Sequence, residues 1–235
     1  MIAVLGTGCA SSLKDGLVAY YPFNGNAKDA SGNENHGDVS QNFKGFNNQL
    51  ADRFGAANSV ASFDGLSDVV IGHAPSLSFS SQLTISVWLA NPGMNTRGGL
   101  ICNGPRANNT QGFTWGLCVG PEGDSAHCFL LWDGNGSNKD FFVRVRGWKI
   151  PDRKMWNHVS AVYDGTFATV YVNGQMHASV RTKGESIGPS KHPITIGMVD
   201  HNSYGGQIDD LRIYNRALSA KEVKALYDLE KPKTK

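Results

Sequence analysis

Hydrophobic residues in this chain recur at every second position, in short runs closed by glycine, asparagine or aspartate. Leu83–Ala90 is a clear case: Leu83, Ile85, Val87 and Leu89 fall on one side of an extended segment. Comparable runs cover Leu17–Phe23, Ser59–Phe63, Asp68–Ile71, Gly99–Cys102, Phe113–Val119, His127–Trp132, Phe141–Arg146, Ile194–Met198 and Gly206–Tyr214. From His158 to Arg181 three runs are joined by Asp164-Gly165 and Asn173-Gly174. Such pairs accept the left-handed backbone that tight hairpins need, so this region predicts a meander. Asp64-Gly65, between Ser59–Phe63 and Asp68–Ile71, reads as a further hairpin turn. Only Ser219–Leu229 has helical period, with Val223, Leu226 and Tyr227 apolar and Ser219 and Glu222 spaced as a capping box. The pattern predicts an all-β fold, an antiparallel β-sandwich with a short C-terminal helix.

The 235 residues show no internal repeat and no break in composition, which predicts one domain over 16–228, a leader over 1–15 and a charged tail over 229–235. Hydrophobic residues at 40% and charged residues at 18% describe a chain with a core rather than a disordered one. A net charge of +2 without any Lys/Arg run argues against a nucleic-acid partner. No stretch is long enough to span a membrane. The small residues before Cys9 resemble the end of a bacterial lipoprotein signal, with Leu5 one residue out of place; Cys9 is a candidate lipid anchor, or 1–15 is a plain leader. Cys118 and Cys128 flank the turn-rich segment 120–126, so a symmetric hairpin sets them opposite each other. They form either a cross-strand disulfide or a pair of buried thiols, like Cys102. The absence of a CxxC pair argues against structural zinc.

Five segments together resemble a known family: "GLVAYYPFNGNAKDASGNENHG" (16–37), "SFDGLSDVVIG" (62–72), "LTISVWL" (83–89), "WNHVSAVYDGTFATVYVNGQ" (156–175) and "GGQIDDLRIYNRALSAKEVKALY" (205–227). They are similar to the laminin-G-like, concanavalin A-like lectin/glucanase jelly-roll domains of bacterial secreted proteins. The resemblance implies two antiparallel sheets of six or seven strands, one convex and one concave, with the first and last strands adjacent. It also implies an extracellular or cell-surface location. Members include sugar- and surface-binding modules as well as glycanases and lyases, so fold alone leaves function open.

Between Asn24 and Gly37 oxygen donors alternate with glycines, which suits a calcium ion with its six to eight oxygen ligands. If the termini are neighbours, Asn24, Asp29, Asn33 and His36 would share a structural Ca2+ with Asp209. Consecutive strand residues face opposite ways, so Asp209 rather than Asp210 is the expected ligand. The other reading has these side chains capping turns.

No catalytic residue is assigned. Glycan hydrolysis needs two carboxyl groups about 5–10 Å apart. The five glutamates, Glu34, Glu122, Glu185, Glu222 and Glu230, are never within five residues of one another. The nearest mimic, Glu122-Gly123-Asp124-Ser125-Ala126-His127, has histidine where the second acid belongs. Binding has more to draw on, since sugars stack on aromatic rings while Arg and amides take their hydroxyls. Trp132, Trp148 and Tyr204 are the candidate platforms, with Asn135 and the same-face pair Arg144 and Arg146 as polar partners. The expected function is a non-catalytic extracellular recognition module for a carbohydrate or surface partner. The alternatives are a polysaccharide lyase or glycosidase, and a structural or adhesive subunit of a cell-surface or virion assembly.

Overall fold

The computed structural model describes residues 12–41, 43–46, 50–90, 98–104, 114–119, 127–132, 142–152, 154–184, 186–188, 190–199 and 202–233. Cys9 and Asn135 lie outside the described residues, as does Glu122–Ala126. The strands are β1 (Leu17–Tyr21), β2 (Gly37–Val39), β3 (Ala61–Asp64), β4 (Val69–Ile71), β5 (Leu83–Ala90), β6 (Gly98–Asn103), β7 (Trp115–Val119) and β8 (Cys128–Trp132). They continue with β9 (Phe142–Val145), β10 (Asn157–Tyr163), β11 (Phe167–Val172), β12 (Gln175–Arg181), β13 (Ile194–Ile196), β14 (Met198–Val199), β15 (Asn202–Ser203) and β16 (Gly205–Tyr214). Helix α1 is Ala220–Glu230.

One sheet has the order β1-β16-β5-β10-β11-β12, with β3 also paired to β16. The other runs β2-β4-β13-β6-β7-β8-β9, with β14 and β15 at its side. The first and last strands are neighbours, Leu17 opposite Tyr214 and Tyr21 opposite Leu211. The core lies between the sheets: Leu83, Ile85, Val87 and Leu89 of β5 join Ile101, Leu117, Phe129, Leu131, Val143 and Val145 from the other sheet.

Local sequence rules explain much of the meander. Asn173 and Gly174 have φ of 51° and 75°, the two left-handed residues of a type I′ turn, and they join β11 to β12 directly. Asp164 accepts from the backbone N–H groups of Thr166 and Phe167 and closes the β10–β11 turn. The capping box also forms: Glu222 N–H donates to Ser219 Oγ and Ser219 N–H to Glu222.

Asp64-Gly65 departs from expectation. β3 pairs with β16 in one sheet and β4 with β2 and β13 in the other, so this turn carries the chain between sheets and closes no hairpin. The Asp64 carboxylate accepts from Leu66 N, Ser67 N and the Ser67 hydroxyl, which makes the turn without any strand pairing.

β5 is buried on both faces. Its odd positions face the other sheet, while Thr84, Ser86 and Trp88 face α1. Beneath the helix a second core gathers Leu13, Val162, Tyr214, Leu218, Val223 and Leu226. Two residues expected in leader and tail thus belong to the folded body. Leu13 packs in that core, with Arg216 donating to Ser12 O and Asp15 O beside it. Glu230 is buried at the end of α1.

Candidate functional site

Alternation along β6–β9 turns one set of side chains away from the core. Register carries a row across the sheet: Asp38, Val70, Thr195, Cys102, Gly116, Leu130 and Arg144 stand opposite one another in turn. Cys118 and Cys128 form the next row. Cys102, Cys128, Leu130 and Trp132 pack as a buried cluster on this face with Cys118 against them. At its edge, Arg144 on β9 and Arg146 just past the end of that strand are exposed, while Val143 and Val145 point into the core. The expected arginine pair therefore stands on one face at a sheet edge. No residue of β6–β9 is a carboxylate.

The aromatic platforms are corrected. Trp132 lies on this face but is only 8% exposed, buried among Leu130 and the cysteines. Trp148 is in the main core: it follows Gly147, at φ 82°, just past β9, and its indole packs inward, where it meets the His127 ring edge-on at 4.9 Å. Tyr204 is also in the core, its hydroxyl 3.3 Å from Ala90 O and Gln207 O. Neither Trp148 nor Tyr204 offers a ring face to a sugar.

The five expected calcium ligands do not form one shell. Asp29 accepts from the N–H groups of Tyr20, Ser31 and Asn35. His36 Nδ1 accepts from Asp29 N, and Asn33 donates to Leu17 O. The Asn24 carbonyl accepts from the Asn26 side chain. With Asn35 and Ser31 both donating to Val18 O, this loop covers the free edge of β1 with hydrogen bonds. An open edge strand is a hazard for unwanted pairing, and the loop blunts it. Among the described residues no three His, Cys, Asp or Glu side chains stand close enough to share a metal ion.

Asp209 lies in a different network. A bulge between Asp209 and Arg212, with Asp210 at φ 47°, breaks strand alternation. Both carboxylates therefore reach the same guanidinium, that of Arg53, which also donates from Nε to Glu230 O at 2.8 Å. Arg212 pairs with Glu230 and lies over the Tyr20 ring, and Tyr20 donates to Asp210. Three carboxylates face two guanidinium groups; Arg53, Asp209 and Glu230 are buried, Asp210 and Arg212 partly exposed. Burial and then the Asp210 charge push Asp209 up to about 8 against the pull of Arg53. Burial likewise raises Glu230 to about 7 against Arg212. Nothing short of the bulge and the distant Arg53 gives a sequence signal for this arrangement.

Two other arrangements bear on catalysis. Ser86 Oγ and His158 Nε2 are 2.7 Å apart, the separation of a nucleophile and its base. Both are fully buried, beneath Trp88 and Tyr227, and His158 Nδ1 has no hydrogen-bond partner among the described residues. Burial, then Arg212 and Arg53, lower His158 to about 3, so the ring is neutral and a weak base. On the same side a cleft of about 310 Å³ opens between β10–β11 and the start of α1, lined by Asp164, Phe167, Tyr171 and Glu222 among others. Burial would raise Glu222, but hydrogen bonds from Arg216 and Ser219 hold it at about 2, leaving it no proton to give near neutrality.

The family model described as concanavalin A-like lectin/glucanases superfamily matches residues 63–224. The chain belongs to that superfamily. Among solved structures it is similar to the binding domain of Paraclostridial Mosquitocidal Protein 1, with TM-score 0.73, 20% identity, 92% of this chain and 53% of that one covered. It is similar to domain 4 of AbnA, an extracellular GH43 arabinanase from Geobacillus stearothermophilus in complex with arabinotriose, with TM-score 0.64, 22% identity, and 90% and 98% covered. The binding domain of botulinum neurotoxin DC in complex with rat synaptotagmin II gives TM-score 0.67, 16% identity, and 92% and 52% covered. The chain spans about half the length of the two toxin binding domains.

Proposed function

We propose that this member of the concanavalin A-like lectin/glucanase superfamily is a non-catalytic recognition module that works outside the cell and binds carbohydrate at the β9 edge of its nine-stranded sheet. The observation that carries the reading is the exposed pair Arg144 and Arg146, side by side on a face where β6–β9 contribute no carboxylate. Guanidinium groups bind acidic groups in paired hydrogen bonds and also donate to sugar hydroxyls, so the favoured ligand is a glycan bearing an acidic group. The arabinotriose complex of a similar fold supports a sugar ligand. Catalysis is disfavoured because the Ser86–His158 pair is closed to solvent, Glu222 is held ionised, and Asp209 and Asp210 grip Arg53.

A panel of neutral and acidic oligosaccharides tests the reading, with Arg144→Ala and Arg146→Ala compared to the parent chain. Acidic glycans bind the parent, each variant weakens binding by about tenfold or more, and no new reducing ends appear. Binding that neither variant weakens, or release of products, overturns it. A second reading, a protein receptor, is supported by the synaptotagmin II complex of a similar fold. It predicts binding to cell-surface protein that survives enzymatic deglycosylation.

A further inference from the structure

The outer face of the nine-stranded sheet holds a feature that glycan recognition does not use. Cys118 of β7 and Cys128 of β8 stand directly opposite each other, their thiols in hydrogen-bonding contact. Cα atoms of directly opposite residues on an antiparallel ladder are about 4.5 Å apart in a non-hydrogen-bonded pair and about 5.5 Å in a hydrogen-bonded one. Disulfides span Cα separations of about 4.4–6.8 Å, most often about 5.5–6 Å.

We propose that Cys118 and Cys128 are the site of a covalent cross-link, a disulfide that closes the β7–β8 hairpin when the protein meets an oxidising environment. The partner chemistry is a small-molecule disulfide such as oxidised glutathione. Two thiol S–H bonds break and one S–S bond forms between Cys118 and Cys128. The oxidant's S–S bond breaks, and its two halves leave as thiols carrying the two protons and two electrons. Cys118 is partly exposed, which gives the oxidant access. The hydrogen bond from Cys118 draws the Cys128 thiol down, against burial, and the Arg144 and Arg146 charges assist. The same contact raises Cys118 well above its ordinary value, so Cys128 is the member of the pair that supplies the thiolate closing the bond on Cys118.

The third thiol on this face is excluded by register. Cys102 stands opposite Gly116, which makes it a diagonal neighbour of Cys118. Diagonal neighbours are about 7–8 Å apart, at or beyond the reach of a disulfide. Cys102 and Cys128 are two strands apart, about 9–10 Å.

The test is made on the unsubstituted 235-residue chain. The protein is incubated with oxidised glutathione, denatured, alkylated and digested with trypsin, which separates Cys102 from the other two at Arg106. The expected result is an unalkylated Cys118–Cys128 peptide lighter by two hydrogens, with Cys102 fully alkylated and a raised Tm that falls again on reduction. Cys118→Ser and Cys128→Ser each abolish the rise; Cys102→Ser leaves it. Full alkylation of Cys102, Cys118 and Cys128 after oxidant, or loss of Cys102 alkylation, overturns the proposal. The mass result needs no variant and is independent of any glycan.

Discussion

Trp88 donates its indole N–H to Glu230 Oε2 at 2.8 Å, joining the middle strand of one sheet to the last residue of the terminal helix. The two are 142 residues apart in sequence. The indole also stacks on Tyr227 of α1 at 5.7 Å and takes the Arg53 guanidinium over its ring at 4.7 Å. The helix is thus held at its end by a polar bond and along its length by Val223 and Leu226 in the second core.

Trp88→Phe keeps most of the ring contact and removes the donor. The loss leaves a buried carboxylate oxygen without the indole, and the expected cost is about 1–3 kcal/mol. Urea unfolding followed by circular dichroism measures it. The local effect should also appear as faster amide exchange in Ala220–Glu230.

Arg53→Ala is predicted to be the most damaging change outside the core. It leaves the buried Asp209 without its cation and the partly exposed Asp210 with Arg212 alone, and breaking a buried pair in this way costs about 3–5 kcal/mol. Asp209→Asn combined with Arg53→Ala should recover part of the loss, because a neutral amide needs neither the cation nor a bound proton at that buried position. A double-mutant cycle by urea midpoint reads this coupling.

Stability should fall as pH rises from 6.5 to 8.5. Asp209 and Glu230 are raised in the folded protein to about 8 and about 7. Acids raised by folding hold their protons more tightly when folded, so their contribution is full below the unfolded values near 4 and lost as pH climbs through the folded ones. Glu222 and His158 are lowered, and their contributions disappear in the opposite direction, as pH falls below about 4.5 and about 6.5 respectively. The alkaline fall should be on the order of 1–3 kcal/mol and should flatten in Asp209→Asn. Urea midpoints across the range provide the check.

Asp29→Ala removes the acceptor for three backbone N–H groups at the β1 edge. A loss of about 1–3 kcal/mol is expected. Melting with and without chelator separates edge-capping from calcium binding. Equal Tm in both, for parent and variant alike, is the expected outcome. A chelator-sensitive parent beside an insensitive variant would restore a calcium role for the loop.

Some of this was legible residue by residue. Asn173-Gly174 made its turn because few residue pairs accept two left-handed conformations, and Ser219 with Glu222 closed its box within one helical turn. Arg144 and Arg146 share a face, and Cys118 faces Cys128, because strand period and hairpin symmetry are short-range rules. The aromatic platforms were not legible. Trp148 and Tyr204 sit near loops in sequence, but a left-handed Gly147 and the sheet edges decide whether a ring points outward or in. Asp64-Gly65 looked like a hairpin turn, and only the pairing of β3 with β16 shows that the chain changes sheets there.

By itself the sequence determined the sandwich, its meander, its capped helix and the adjacent pair of thiols. Each follows from backbone dihedrals, alternation or capping chemistry acting over a few residues. Tertiary structure alone decided what Asp209, Asp210 and Asp29 are for. A carboxylate's role depends on which donors reach it. The bulge at Asp210 and an arginine 156 residues from Asp209 deliver those donors from parts of the chain that no local pattern connects.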